Sequence, residues 1–177
     1  FDLADQYRMT AMILADGTIG QMMEPVSLEP AIPLNIAKPW ALTGTQGERK
    51  KNIVTSLYLS PAELEQKNLS RFARYALAEQ NEVDYEAFQM DDAEICLVAY
   101  GISARVSRSA VSAAREKGIR AGMIRPITLW PFPAEALRQA ASHMKQFLSV
   151  ELSMGQMIQD IELAVRCTRS VSLVSRV

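Results

Sequence analysis

The sequence has 177 residues, 49% of them hydrophobic, and a formal net charge of −1. This size and composition predict a globular chain with room for one ordinary domain and a few attached elements. No apolar run approaches the roughly 20 residues that cross a bilayer, and no signal-peptide pattern is present. We therefore expect no membrane contact and a cytoplasmic location.

The charge is distributed unevenly along the chain. Residues 1–92 carry 8 Lys and Arg against 14 Asp and Glu, a balance of −6, whereas residues 93–177 carry 11 against 6, a balance of +5. The arginines of the second half are scattered rather than clustered, which is typical of solvated helix faces. We therefore expect no nucleic-acid partner.

Metal-binding and nucleophilic side chains are scarce. The two cysteines are Cys96, inside an apolar run that predicts a buried strand, and Cys167, which we expect to be half exposed. The single histidine, His143, falls late on a predicted helix and is interpreted as a surface residue. No CxxC pair or His/Cys cluster exists, so we predict neither a zinc site nor an iron–sulfur cluster in this chain.

The first 25 residues predict the closing edge of a domain. Residues 1–8 have the spacing of the last turns of an amphipathic helix, and the apolar run MTAMILA at 9–15 is typical of a buried strand. A short helix is predicted from Thr18 to Met23, because the residue before a proline is pushed out of helical space. Since the chain begins inside a predicted helix, without an initiator Met, we expect a fragment of a longer protein.

Residues 26–92 are predicted to be a linker that contains one long helix. Four of the eight prolines fall within residues 25–59, at Pro25, Pro30, Pro33 and Pro39, so regular structure should be sparse there. Ser60 at the N-cap, with proline first and glutamate third in the helix, predicts a helix over about 61–80. The acidic stretch 81–92 reads as the end of the linker.

Residues 93–177 alternate strand-like and helix-like segments three times. We predict strands at 95–99, 119–124 and 146–150, with a possible edge strand at 171–174. We predict three helices. The first runs from an N-cap at Ser103 to Lys117, with Val106, Ala110 and Ala113 or Ala114 inward and Gly118 as its C-cap. The second buries Leu137, Ala140, Ala141 and Met144, and the third follows a capping box at 153–156 and turns Met157, Ile158, Ile161, Ala164 and Val165 inward. The fold class is therefore α/β, a parallel sheet with right-handed crossovers and helices on both faces.

The strand ends are where such sheets usually bind ligands. Here they are Gly101 to Ser103, Arg125 to Ile127 and Glu151 to Ser153. The first turn has one glycine where a dinucleotide fingerprint needs three, and the phosphate-cradling GxxxxGK[ST] pattern is absent, so NAD, FAD and P-loop sites are rejected. Glu151 with Arg125 could form an ion pair or a polar site, and we favour a structural pair that fixes a loop. The residues alone show no convincing active site.

Several stretches together resemble the α subunit of the 2-oxoacid:ferredoxin oxidoreductases. These stretches are DLADQYRMTAMILADGTIGQMMEPV, SLYLSPAELE, DDAEICLVAYGISAR, IRPITLWPFP and VELSMGQM, and the resemblance covers essentially the whole chain. The subgroup that it resembles in particular acts on 3-methyl-2-oxobutanoate (2-ketoisovalerate). The resemblance implies a transketolase C-terminal-domain fold for 93–177, and for 1–25 the end of a pyrimidine-binding thiamine-diphosphate domain.

The resemblance also implies an activity and its partners. The family converts a 2-oxoacid and coenzyme A to acyl-CoA, carbon dioxide and reduced ferredoxin. It carries thiamine diphosphate and magnesium on the β subunit and iron–sulfur clusters on other subunits. The glutamate that activates the cofactor would precede Phe1, so we expect no catalytic, cofactor-binding or metal-binding residue here, and an inactive fragment that supports assembly.

We select ten residues as candidates for subunit contact or for strand-end loops. The segment from Asp16 to Glu24, which contains the predicted short helix, is the candidate contact with a partner subunit, although its methionines could equally fill the fragment's own core. The candidate residues are Asp16, Gly17, Gln21 and Glu24 at the interface, and Gly101, Ser103, Arg125, Glu151, Ser153 and Gly155 in the strand-end loops.

Two alternative interpretations stay open. One is the C-terminal domain of another thiamine-diphosphate enzyme, of the transketolase or oxoacid dehydrogenase β type; the DGTIGQMMEPV segment and the long linker argue against it. The other is a non-catalytic ligand-binding α/β module, which would require a complete phosphate or carboxylate pocket at the strand ends.

Overall fold

The computed structural model describes residues 1–28, 30, 36–45 and 47–176. These residues cluster into two compact units, one of Phe1–Ile13 with Glu24–Ala78 and the other of Leu14–Met23 with Glu79–Val177. The predicted domain boundaries at residues 25 and 92 stay a prediction. Pro33, one of the prolines of the predicted linker, lies outside the described residues.

Six helices and five strands form in the described part of the chain. The helices are α1 (Asp2–Tyr7), α2 (Gly17–Gln21), α3 (Pro61–Asn81), α4 (Gly101–Glu116), α5 (Ala134–Ala141) and α6 (Met157–Val165). The strands are β1 (Tyr85–Phe88), β2 (Ile95–Ala99), β3 (Ala121–Pro126), β4 (Gln146–Glu151) and β5 (Ser170–Ser175). No helix of the described residues is long and apolar enough to span a membrane.

The first unit holds α1, most of α3 and, between them, an irregular stretch that consists of the described residues of 24–60. The irregular stretch has neither helix nor strand in its described residues, as the prolines predict. The start of α3 is also confirmed, because the Ser60 hydroxyl accepts a hydrogen bond from the Glu63 N–H at 3.4 Å. In the same unit, Lys38 and Asp5 form an ion pair at 2.7 Å.

The prediction of a buried strand at 9–15 is wrong in this structure. Those residues have no regular structure, and the side chains of Met12, Ile13 and Leu14 are exposed. A continuous apolar run predicts burial only where a neighbouring strand can pair with it, and no strand of the described residues does so. The short helix that follows does form, as α2.

The second unit is built around a five-stranded sheet of order β1-β3-β2-β4-β5. The pairs β2–β3, β2–β4 and β4–β5 are parallel, and β1 pairs antiparallel with β3 at the edge. One face carries the core made with α5 and α6, and the opposite face packs against α4. This confirms the predicted parallel sheet with helices on both faces.

The inward residues of α5 and α6 follow the predicted spacing. Leu137, Ala140 and Ala141 of α5 are buried, and so is Met144 just after the helix. In α6, Met157, Ile161, Ala164 and Val165 are buried and Ile158 is half-buried. The strand residue Cys96 is fully buried too, and burial raises the pKa of its thiol to about 12. His143 and Cys167 are exposed.

The predicted inner stripe of α4 is wrong for Val106 and Ala110, and it is confirmed for Ala114, which packs half-buried against the core. Val106 is 64% exposed, and the buried face instead holds Ser103, Ala104, Ser107 and Val111. The helix also starts three residues earlier than predicted, since its N-cap is Tyr100 and not Ser103. The prediction assumed that only apolar residues face the sheet, but Ser103 and Ser107 are small enough to pack there. The buried face of α4 is therefore rotated about the helix axis relative to the predicted one. Gly118 does follow the helix with a φ of +80°, as its predicted capping role requires.

The acidic stretch 81–92 was predicted as a linker but contains the edge strand β1. Tyr85 to Phe88 alternates between exposed and half-buried side chains and pairs with residues 123–126 of β3. The strand has only four residues, which is too short for its alternation to stand out among the charges around it.

Candidate functional site

The carboxyl ends of β2 and β4 lie side by side, because Ala99 and Val150 are register partners. The chain leaves β2 directly into α4, and it leaves β4 through residues 152–156 into α6. These two helices pack on opposite faces of the sheet, so this is the position at which open α/β sheets usually bind ligands.

Asp16 occupies the N-terminus of α4. Its carboxylate accepts a hydrogen bond from the Ile102 N–H at 3.1 Å and one from the Ile19 N–H at 2.8 Å. One side chain therefore caps both its own helix α2 and a helix that begins 85 residues later. Tyr100, the N-cap residue of α4, offers no side-chain cap of its own.

The contact between Asp16 and α4 depends on the absence of a side chain at Gly101. That residue has a φ of +57°, and an added Cβ would lie 2.9 Å from Asp16 Oδ2. The backbone N–H bonds, first from Ile19 and then from Ile102, hold the pKa of Asp16 below its usual value. The carboxylate is therefore ionised at neutral pH and accepts protons poorly.

Glu151 closes the N-terminus of α6. This residue is 2% exposed, and its carboxylate accepts backbone N–H bonds from Gln156, Met157 and Ile158 at 2.9, 3.0 and 3.0 Å. The predicted capping box at 153–156 is wrong, since Gln156 is the N-cap and its side chain makes no capping hydrogen bond. The cap comes instead from the last residue of β4.

Two hydroxyl groups complete the surroundings of Glu151. Ser149 Oγ donates to it at 2.6 Å and Ser153 Oγ at 2.7 Å, so the carboxylate accepts five hydrogen bonds. Burial works to raise the pKa of Glu151, but these donors outweigh it and leave the pKa lowered. A carboxylate held in this way is a structural anion and not a proton acceptor.

Gly155 allows the loop between Glu151 and α6 to approach β5. Its φ is +99°, and a Cβ there would lie 2.9 Å from Leu173 Cδ2. The Ser153 carbonyl accepts a hydrogen bond from Ser175 Oγ at 2.6 Å. The two loop candidates Ser153 and Gly155 thus fix this loop against the neighbouring strand.

Arg125 does not pair with Glu151, and the predicted pair between them is wrong. Arg125 lies within β3 opposite Glu86 of β1, and these side chains form an ion pair at 3.4 Å. Arg108 of α4 pairs with the same carboxylate and lies 4.3 Å from the Phe88 ring centroid. The sequence could not indicate this cluster, since Glu86 belongs to the strand that its local pattern missed.

The remaining interface candidates surround α2. Gly17 starts the helix, Gln21 ends it, and Glu24 follows it, all three exposed. Met23 is 97% exposed, and Met22 has its sulfur 3.8 Å from Arg105 Nη1. The alternative in which these methionines fill the core of the fragment is therefore wrong. Their predicted contact with a partner subunit stays a prediction.

At the carboxyl edge of the sheet, the two carboxylates described above bind the N-termini of helices. Helix N-termini are natural anion sites, but at α4 and α6 that position is taken by Asp16 and Glu151 of the chain itself. Among the described residues, no group of three or more His, Cys, Asp or Glu side chains could hold a metal ion. Ser103 is buried inside the first turn of α4.

Comparison with known proteins shows which proteins this chain is similar to. The sequence profile of the pyruvate:ferredoxin oxidoreductase core domain II matches residues 93–177. The ketoisovalerate oxidoreductase subunit VorB of Methanothermobacter marburgensis is 50% identical over 177 residues. That alignment covers 99% of this chain and 50% of the relative. This chain is a homologue of 2-oxoacid:ferredoxin oxidoreductase subunits.

Other relatives of this oxidoreductase group are more distant. The 2-oxoglutarate synthase subunit KorA of the same organism is 28% identical over 203 residues, covering 100% of this chain and 54% of that subunit. The chain spans about half the length of these curated relatives. A 2-oxoglutarate:ferredoxin oxidoreductase structure from Magnetococcus marinus superposes with a TM-score of 0.53 at 18% identity. The superposition covers 67% of this chain and 20% of the Magnetococcus marinus chain, and it shows that the two share a fold.

Proposed function

We propose that this chain acts as part of a VorB-type subunit in a 2-oxoacid:ferredoxin oxidoreductase. The reaction would be the oxidative decarboxylation of a branched-chain 2-oxoacid, with coenzyme A, to acyl-CoA, carbon dioxide and reduced ferredoxin. The observation that carries this proposal is the 50% identity to a ketoisovalerate oxidoreductase subunit, set against 28% to a 2-oxoglutarate synthase subunit.

The residues described here would serve assembly and not chemistry. The carboxylates at the strand ends are occupied by helix capping, and the described residues hold no cluster of metal ligands. We therefore propose that thiamine diphosphate, magnesium and the iron–sulfur clusters are held outside this chain. Those groups would lie on the β and iron–sulfur subunits, and ferredoxin would be the electron acceptor. Because Asp16 and Glu151 fill the N-termini of α4 and α6, the structure also argues against a free-standing module that binds phosphate at the strand ends.

Exposed apolar side chains of the first unit support a role in assembly. Ile13 and Leu28 are each more than 90% exposed, and Met12 and Val26 are more than 70% exposed. An apolar surface of this kind usually marks a contact with another protein surface. We propose that the other subunits of a cytoplasmic complex cover it.

A purification through the full-length subunit tests this proposal. The subunit is tagged in its native cell and the complex is assayed for CoA-dependent viologen reduction with 3-methyl-2-oxobutanoate, 2-oxoglutarate and pyruvate. We expect co-purifying iron–sulfur subunits and the highest kcat/KM with 3-methyl-2-oxobutanoate. A higher kcat/KM with 2-oxoglutarate would contradict the substrate, and a monomer without activity would contradict the function.

A further inference from the structure

A pocket of about 210 Å³ lies within the first unit and plays no part in the proposed function. It is formed by the end of α1, by the irregular stretch and by α3. The side chains that define it are Arg8, Trp40, Asn52, Tyr58 and Lys67, together with residues 53–55. We call it the cation–aromatic pocket.

Each cation of the pocket lies against an aromatic ring. The Arg8 guanidinium carbon is 5.1 Å from the Trp40 ring centroid, and the Lys67 ammonium is 5.5 Å from the Tyr58 ring centroid. Both distances are within the range of cation–π attraction. The rings therefore restrict where the two charges lie, while leaving their N–H groups able to donate.

The charge of the pocket is unbalanced. All its lining residues other than Arg8 and Lys67 are neutral. Neither cation forms an ion pair among the described residues, whereas Lys38, Arg108 and Arg125 all do. Two positive groups that line one pocket with no acid among its lining residues attract an anion.

The size and the donors of the pocket narrow the class of anion. Sites for drug-sized ligands have volumes of about 300–1,000 Å³, so this smaller pocket suits a compact group. Guanidinium and ammonium groups together offer several N–H donors, which match the tetrahedral oxygens of a phosphate. We propose that the cation–aromatic pocket binds a phosphate group, either as free phosphate or as the end of a larger phosphate compound.

Binding measurements on the intact complex test this proposal. The full-length protein in its complex is titrated calorimetrically with inorganic phosphate and with a nucleoside diphosphate at constant ionic strength. We expect saturable binding, weakened about tenfold or more by Lys67→Ala or by Arg8→Ala, since each removes charge-assisted hydrogen bonds. Arg71→Ala is the matched control, because Arg71 lies one turn further along α3 and does not line the pocket.

The outcomes separate the sources of phosphate and allow the proposal to fail. A nucleoside diphosphate that binds at least tenfold more tightly than phosphate indicates a larger ligand, and similar affinities indicate free phosphate. No saturable binding of either probe would overturn the proposal. Equal weakening by Lys67→Ala and Arg71→Ala would also overturn it, because that result means general attraction of anions to the surface.

Discussion

At the scale of single residues, Glu151 has an unusual position for an acidic side chain. It is 2% exposed and its carboxylate accepts five hydrogen bonds, three of them from the first N–H groups of α6. A buried carboxylate is stable only when such donors replace the water that it loses. The residue thereby links the end of β4 to the start of α6.

Replacing Glu151 by glutamine tests this link. Glutamine has the same size as glutamate but no charge. Its amide NH₂ is a donor, so it would face backbone N–H groups that are donors too. We expect the free energy of unfolding of the chain to fall by about 3 kcal/mol, measured by guanidinium-induced unfolding. Glu162→Gln is the control on the exposed face of α6 and should change it by less than about 0.5 kcal/mol. Equal effects of the two substitutions would contradict the capping role.

The lowered pKa of Glu151 makes this contribution depend on pH. Because the pKa is lower in the folded than in the unfolded chain, the stabilisation is fully present above the ordinary value of 4.5 and is lost as the pH falls through the folded pKa. We expect the difference in unfolding free energy between the native chain and Glu151→Gln to be constant from pH 7 to about 6 and to shrink below about 4.5. A difference in unfolding free energy that grows on acidification would contradict the predicted direction of the pH dependence.

At the scale of elements, β3 requires a close approach that only glycine allows. A Cβ at Gly122 would lie 2.7 Å from the Gln89 carbonyl oxygen, 2.7 Å from Met90 Sδ and 2.9 Å from Ala93 Cβ. The turn after β1 therefore packs directly on the backbone of the neighbouring strand. Arg115 adds to this contact, since it donates to the Gln89 carbonyl and pairs with Asp92.

Gly122→Ala measures the cost of filling that space. The backbone oxygen cannot move away as a flexible side chain would, so we expect the chain to lose about 2 kcal/mol of unfolding free energy. Gly20→Ala is the control, because nothing lies within 4 Å of its Cβ position in α2 and alanine favours the helix. Thermal unfolding followed by circular dichroism should lower the Tm of the Gly122 variant alone. A Tm for Gly122→Ala equal to that of the native chain would contradict the packing.

At the scale of the whole molecule, the exposed apolar run near the first helix connects the fold to the proposed function. Ile13 is 97% exposed, so the structure gives it no role in the stability of this chain. If the proposed partner subunits cover this surface, a charge there is costly only in the assembled complex.

Ile13→Lys in the full-length subunit tests whether partner subunits cover this surface. We expect it to reduce the yield of co-purified partner subunits about tenfold, because an unpaired ammonium would be buried at the contact. Thr10→Lys is the control in the same exposed segment. Native yields of complex for Ile13→Lys would show that this surface is not the contact.

The sequence by itself determined the features that depend on neighbouring residues. The alternation of strands and helices in residues 93–177 was predictable, as were the cap at Ser60, the glycine after α4 and the buried faces of α5 and α6. Each follows from backbone hydrogen bonding or from a periodicity within one element.

Only the tertiary structure decided which distant groups meet. Asp16 caps a helix in a different part of the chain, Glu151 takes the donors of α6 instead of pairing with Arg125, and Glu86 receives both Arg108 and Arg125. The edge strand β1 was hidden for the same reason, since four residues form a strand only where β3 offers its edge. Such contacts depend on the partner that the fold supplies, and a local pattern of residue types does not contain that partner.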